Sequence, residues 1–265
     1  MDYIKNIYDK FGKDYHQRDK VLGRAFCKQF IVVPAMTFLI RDIVRNKKVL
    51  DLACGAGFFT RNLSSRGAEV IGLDFSKTLI EIACKENPRI KFCVGDARKA
   101  PFKNSQFDII SSNLMVHYIK NIKLLFNEVS RILKKRGLFI FSIHHPISQI
   151  LKKIEINGKR EFLLTPYFHS KKYTWNMLKG IEMISYDRTF KNIISSYVDV
   201  GIKGMEMISY HHTFENTINC LNSAGFVIER LLEPKPPKRA EKYNKESYDR
   251  TSKYPSFCII KARKI

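Results

Sequence analysis

Lys48-Val49-Leu50-Asp51-Leu52-Ala53-Cys54-Gly55-Ala56-Gly57 is the stretch that decides the fold. Its first five residues are a short apolar run interrupted by one carboxylate, the pattern of a strand buried on both faces. Two glycines follow, so the backbone can pass close to a ligand and bend sharply into a helix. The dinucleotide fingerprint Gly-x-Gly-x-x-Gly is left incomplete, because Thr60 stands where the third glycine belongs. A pyrophosphate needs close approach to a helix N-terminus, whereas a nucleoside without phosphates needs only the glycine-lined bend. No Gly-x-x-x-x-Gly-Lys-Ser/Thr occurs, so a nucleoside triphosphate site has no candidate.

Working outward, strands and helices alternate. Glu69 to Asp74 reads as a second strand, with Ser76 a good N-cap for the helix after it. Ile90 to Val94 and Phe107 to Ser111 give a third and a fourth. Ile122, Leu125, Phe126, Val129, Ile132 and Leu133 recur at helical spacing, Gly137 is expected to stop that helix, and Leu138 to Ile143 is a fifth strand. Pro34 is well placed to start the helix leading into the core. Thr213 caps a helix ending near Ala224-Gly225. Strands at Phe226 to Leu231 and Phe257 to Ala262 flank a proline-rich loop, Pro234-Lys235-Pro236-Pro237.

This pattern predicts an α/β protein, a Rossmann-like αβα sandwich around a mostly parallel sheet. It divides into a helical N-terminal cover (1–46), a ligand-binding core (47–145), an inserted lid (146–212) and a segment completing the core sheet (213–265). The lid contains a duplication. Lys179 to Phe190 recurs as Lys203 to Phe214, nine of twelve positions being identical at an offset of 24. Two copies do not make a solenoid; a pair of strands over the sheet's end is expected.

The chain has 265 residues and a net charge of +22. The excess is spread evenly, +13 over residues 1–150 and +9 over 151–265, and Lys outnumbers Arg 31 to 16. A nucleic-acid stripe would be clustered, so a compositional bias is preferred to an RNA surface. Lys171-Lys172 and the run Lys235 to Arg239 are the local exceptions. Six scattered cysteines lack any Cys-x-x-Cys pair, which argues against a zinc site and a disulfide framework. The N-terminus has no continuous apolar run and no stretch is long enough to span a membrane, so a reduced cytoplasm is the expected compartment.

Three aspartates stand at strand ends. Asp74 ends the second strand, where a carboxylate can accept both hydroxyls of a ribose. Gly95-Asp96-Ala97 ends the third, where a carboxylate can accept from an adenine amino group. Asp108 starts the fourth. Each alone is more often a turn or cap; successive strand ends of one open sheet are where ligands bind.

With these residues the chain resembles the class I S-adenosylmethionine-dependent methyltransferases, specifically the small-molecule group called methyltransferase type 11. The resemblance covers residues 1–145 well and Thr213 to Ala262 more loosely. Val49 to Gly57 is similar to the family's first motif, with Ala53 where many members have glycine. Ile71 to Ser76 resembles the ribose motif and Gly95-Asp96-Ala97 the adenine motif. Leu133-Lys134-Lys135-Arg136-Gly137 resembles the turn Leu-Lys-Pro-Gly-Gly. The resemblance implies S-adenosylmethionine as cofactor, a sheet of order 3-2-1-4-5-7-6 with the last strand antiparallel, and a small-molecule methyl acceptor. It implies that Gly55 and Gly57, with Asp51 and Ala53 in the same bend, line the methionine part. Asp74 would bind the ribose, Phe75 would pack on the adenine, and Asp96 with Ala97 would hold its amino group. Asn113 and Leu114 would lie beside the methionine end, and Tyr8 and Tyr15 would belong to a segment covering the cofactor.

Methyl transfer from a sulfonium needs a positioned acceptor and a group to take its proton. Histidine is the natural base. His117 after the fourth strand and His145, in His144-His145-Pro146 after the fifth, are the leading candidates; His211 and His212 in the lid are further options. O-methylation is the preferred product. The alternatives are an RNA or protein methyltransferase on the same core, or a non-catalytic relative acting through interactions. Ser111-Ser112-Asn113-Leu114 in place of Asn/Asp-Pro-Pro-Tyr/Phe disfavours methylation of exocyclic or amide nitrogens. The acceptor's identity and the oligomeric state are not encoded in any motif.

Overall fold

The computed structural model describes residues 2–23, 25–156, 159–164, 172–176, 182–185 and 206–265. Helix α1 (Asp2–Lys20) precedes a helical stretch that opens at Phe26, widens into a π-turn at Lys28–Val32 and continues as α2 (Val33–Ile40). Pro34 therefore lies inside a helix instead of starting one. A proline has no amide hydrogen and crowds the carbonyl four residues back. The wide turn, closed by the Val33 amide on the Lys28 carbonyl, relieves that crowding.

The core then runs β1 (Lys48–Leu52), α3 (Phe58–Ser64), β2 (Glu69–Asp74), α4 (Lys77–Glu86), β3 (Lys91–Val94), β4 (Phe107–Ser112), α5 (Ile122–Ile132) and β5 (Leu133–His144). Helix α5 ends five residues before Gly137, because β5 already pairs with β4 at Leu133. Strands β6 (Leu151–Ile156), β7 (Lys159–Leu164), β8 (Lys172–Asn176), β9 (Glu182–Ser185) and β10 (Glu206–Tyr210) follow. The chain closes with α6 (Phe214–Ser223), β11 (Phe226–Leu232), α7 (Lys245–Lys253) and β12 (Phe257–Lys264).

Seven strands form one sheet in the order β3-β2-β1-β4-β5-β12-β11. Counting only these seven in chain order, that is 3-2-1-4-5-7-6, and β12 runs antiparallel to both its neighbours. The central strands are buried on both faces, and two apolar clusters sandwich the sheet. One joins α5 and α6 to one face; the other joins α2 and α3 to the opposite face. At about 25 cal/mol per Å² of apolar surface, this burial is the main term holding the strand ends in register.

The described strands of the duplicated segments do not pair with each other. Glu182-Met183-Ile184-Ser185 and Glu206-Met207-Ile208-Ser209 lie on opposite sides of β8, both antiparallel and in the same register. Asn176 faces Glu182 and Glu206; Tyr173 faces Ser185 and Ser209. One strand has two edges, and near-identical sequences satisfy both alike. The rest of the first copy, Lys171 and the start of the second copy lie outside the described residues.

Candidate functional site

A cavity of about 600 Å³ opens at the carboxyl ends of β1, β2, β4 and β5. Among the sequence candidates, Tyr8, Tyr15, Asp51, Ala53, Gly55, Asp74, Phe75, Ala97, Asn113, Leu114 and His117 all line it. The cleft requires these strand tips to converge, and they do.

The bend after β1 shapes one wall. Ala53 and Gly55 both adopt positive φ, 60° and 55°, and Gly57 has φ 80°. A Cβ on Gly55 would meet nothing within 4 Å, so the missing side chain leaves cavity space open, while one on Gly57 would strike the Phe92 ring at 2.9 Å. Asp51 and Asp74 stand on either side of the bend. Thr60 Oγ1 donates to Asp51 Oδ2 at 2.6 Å and Ser111 Oγ to Oδ1 at 3.1 Å. The residue that breaks the dinucleotide fingerprint thus holds the first strand's carboxylate. Asp74 accepts from the Gly55 amide on one oxygen and the Ser76 amide on the other, both at 2.9 Å. Burial pushes both carboxylates up to about 6, against the lowering by these donors. The Phe75 amide adds a further donor, and the remaining acceptor capacity of Asp74 at the cavity suits a ribose hydroxyl.

Helix α1 roofs this end. Ser76 Oγ donates to Asp9 at 2.8 Å and Thr78 Oγ1 to the Asp9 carbonyl at 2.7 Å, which fastens α1 to the start of α4. Tyr8 then packs against Tyr15, Phe75 and Tyr118, with the Tyr8 and Tyr118 hydroxyls 3.3 Å apart. The Arg18 guanidinium lies 4.8 Å from the centre of the Tyr15 ring.

Two predicted cofactor residues, Gly57 and Asp96, do not line the cavity. Asp96 is clasped by Arg98, whose Nη2 donates at 2.6 Å, and its neighbours Gly95 and Ala97 line the cavity in its stead. Asp108 sits at the far end of β4, tied to the Lys48 amide and to Lys134 Nζ.

Beyond Tyr118 the lining continues through His117, His144, Asn113, Met115, Cys27 and Phe257. Leu114 has φ 54°, and its amide donates to Ser142 Oγ at 2.9 Å, which fixes the turn after β4. His117 and His144 stack with ring centres 3.9 Å apart and planes 13° from parallel. Burial, then the neighbouring His144 and His212, hold His117 well below the usual histidine range; burial and Arg250 hold His144 at about 4. Both rings are neutral at pH 7.

His145 does not line the cavity. Its Nδ1 accepts from the Ile147 amide at 3.2 Å, so Nε2 carries the hydrogen and donates to Glu233 at 2.7 Å. His212 donates from Nε2 to the Ile119 carbonyl at 2.9 Å, and His211 lies 3.1 Å from Gln149. His144 is the cavity residue passed over in favour of its neighbour. Cys27, Tyr118 and Phe257 had no signal in the sequence beyond being apolar or aromatic.

With this geometry in view, residues 50–141 match the family model described as Methyltransferase domain. Residues 50–141 are a methyltransferase domain. The chain shares the fold of solved S-adenosylmethionine-dependent methyltransferases. The chain is 29% identical over 252 residues to an uncharacterized protein of Haemophilus influenzae, covering 89% of this chain and 88% of that one. It is 30% identical over 148 residues to a malonyl-[acyl-carrier protein] O-methyltransferase of Legionella pneumophila, covering 54% of this chain and 50% of that one. Several such relatives are spanned only in part, from 26% to 64% of their length. Among solved structures, an S-adenosylmethionine-dependent methyltransferase from Mesorhizobium loti superposes with a TM-score of 0.67 at 24% identity, covering 87% of this chain and 96% of that one. Among the described residues, no helix is long and apolar enough to cross a membrane.

Proposed function

We propose that this chain transfers a methyl group from S-adenosylmethionine to an oxygen of a small-molecule acceptor. The observation that carries this is one continuous cavity with two unlike ends, a carboxylate-and-glycine bend at one and a stacked histidine pair at the other. Asp74 would take the ribose hydroxyls and Phe75 the adenine face. Ala97 would line the adenine edge, with Asp96 held aside by Arg98. Asp51, Ala53, Gly55 and Gly57 would shape the methionine end beside Asn113 and Leu114, under Tyr15. The bound cofactor supplies the electrophilic methyl group. His117 meets the acceptor, its neutral ring able to accept a hydrogen bond or a proton. His145 braces the wall behind His144 through Glu233. The relative named as an O-methyltransferase supports oxygen as the methylated atom.

Calorimetric titration with S-adenosylhomocysteine and with NAD, followed by mass-shift screening of a metabolite extract, tests the proposal. Binding of the former and a product 14 mass units heavier, the mass of one added CH₂, are expected. Heat from NAD alone would overturn it.

A further inference from the structure

The cavity takes up the carboxyl ends of the parallel strands. At their amino ends, on the opposite end of the sheet, cations collect. Arg45, Lys47 and Lys48 lead into β1, and Lys134, Lys135 and Arg136 lie in the irregular start of β5. Hydrogen bonds join these segments into one patch. Asp108, at the start of β4, accepts from the Lys48 amide at 2.8 Å and from Lys134 Nζ at 2.7 Å. The antiparallel β12 ends beside them, where Arg263 Nη1 donates to the Arg136 carbonyl at 2.8 Å and Lys264 Nζ to the Leu133 carbonyl at 2.9 Å. On the other side the Asn46 amide donates to the Gly67 carbonyl at 2.8 Å, which brings Arg66 alongside the turn before β1. Segments 45–48, 66–69, 134–136 and 263–264, with the Asp108 and Glu229 carboxylates they contact, hold nine cations and three carboxylates, a net of six positive charges.

Part of this charge serves the fold. Lys134 neutralises Asp108, Lys261 and Arg263 neutralise Glu229, and Lys264 satisfies carbonyls at the end of α5. Arg45, Lys47, Lys48, Lys135 and Arg136 do none of this. All five are exposed, and none forms an ion pair among the described residues. Crowded like charges repel, which costs stability, and nothing in the patch offsets it. The even split of charge between the two halves of the chain conceals the patch, because four separate segments supply it.

We propose that this end of the sheet binds the phosphate backbone of double-stranded RNA, independently of its sequence and away from the acceptor cavity. The patch crosses β2, β1, β4, β5 and β12, neighbours in the sheet. At about 4.8 Å between strands that is about 19 Å, long enough to follow several phosphates. The four segments contain no aromatic side chain on which an unpaired base could stack, so a single strand is poorly served. Within and next to them in the chain, Ile265 is the one exposed large apolar side chain, too little to bury in a lipid interface. The segments are turns and strand ends, with no helix or hairpin to enter a B-form major groove. The wide, shallow minor groove of an A-form duplex instead offers phosphates and 2′-hydroxyls to a flat donor surface. Strand β1 has five residues, about 16 Å, which separates the bound RNA from the cavity. The proposal therefore stands apart from the choice of methyl acceptor.

The test is fluorescence anisotropy of the whole chain with a labelled RNA duplex of arbitrary sequence, from 50 to 300 mM salt. A Kd of about 1–100 μM near physiological salt is expected, with a slope of log K against log salt of about −4, from four to five phosphate contacts. Changing Lys47, Lys48, Lys135 and Arg136 together to Gln should weaken binding at least tenfold and make the slope shallower by about 3. S-adenosylhomocysteine affinity should stay unchanged. The comparison variant changes Lys85, Lys99, Lys120 and Lys123 to Gln, all exposed and outside the patch. Equal weakening in the two variants, or no binding by the wild type, overturns the proposal. Duplex DNA or phosphatidylserine vesicles bound as tightly as the RNA also overturn it. Should the patch variant not fold, lysine acetylation of the wild type with and without RNA decides. Protection is expected at Lys47, Lys48 and Lys135 and not at Lys85, Lys120 and Lys123, and uniform protection overturns the proposal.

Discussion

The two ends of the cavity satisfy their polar groups in opposite ways. At the cofactor end, Asp51 and Asp74 are fully buried yet every carboxylate oxygen has a donor, supplied by Thr60, Ser111, Gly55 and Ser76. At the acceptor end, Asn113, His117 and His144 carry buried polar atoms that have no hydrogen-bond partner among the described residues. A site finished by its own backbone is stable whether or not a ligand is present. A site left open lowers stability and becomes complete only with its ligand, which is how polar groups at functional positions differ from those in a core.

The largest expected effect is at the finished end. Asp74→Ala removes the diol acceptor and strands the Gly55 and Ser76 amides. S-adenosylhomocysteine affinity should fall on the order of a hundredfold or more in calorimetry, and denaturant unfolding should show a loss of about 1–3 kcal/mol. Retained affinity would dissolve the distinction between the ends. His117→Phe should do the reverse at the open end, keeping the stack on His144 while removing an unpaired polar group. Turnover should drop roughly tenfold or more, with stability raised by about 1 kcal/mol; a less stable His117→Phe would mean the ring has a partner in the fold.

The pH dependence separates binding from stability. Burial raises Asp74 from 3.8 to about 6. A ribose that donates to the carboxylate favours the ionised form, so S-adenosylhomocysteine affinity should be full above pH 7. It should fall about tenfold by pH 5, since one pKa unit below the midpoint leaves roughly a tenth ionised. The free protein runs the other way. A carboxyl whose folded pKa is raised contributes stability that is present below about pH 4 and is lost as pH rises through 6. Calorimetry and unfolding between pH 4 and 8 should cross; parallel trends would remove Asp74 from the cofactor site.

The smallest effects concern backbone strain. Ala53 and Arg136 hold φ 60° and 62°, the left-handed region in which a side chain is disfavoured. These are the two positions where the sequence departs from glycine in the motifs it resembles. Arg136→Gly, at an exposed site, should raise stability by about 0.5–1 kcal/mol and Tm by about 2 °C. Ala53→Gly should do the same without weakening cofactor binding, and a loss of stability in either would show the strain to be relieved elsewhere.

The finished end was legible in the sequence because its chemistry is local. Asp74 and Ser76 are two residues apart, Asp51 and Thr60 nine, and the glycines fall between. The departures at Ala53 and Arg136 were visible too, although only the backbone angles give them a cost. The open end is assembled from residues 27, 113–118, 144 and 257, which no spacing rule connects. His144 and His145 show the limit most sharply. Successive side chains of a strand point to opposite faces, so choosing between them required the phase of β5 at its last residue, and that phase is set by pairing with β12, where His144 faces Phe257. Likewise Asp96 has the expected position, but Arg98 two residues on turns its carboxylate aside.

Sequence alone determined the alternating elements and the carboxylate-and-glycine bend, since hydrophobic period and short-range hydrogen bonding are properties of neighbouring residues; the sheet order followed from the family resemblance. Tertiary structure alone decided which histidine faces the cavity and that the described strands of the duplication share β8 instead of pairing together. Those depend on packing between segments far apart in the chain, where burial and register, more than local preference, fix where a side chain ends.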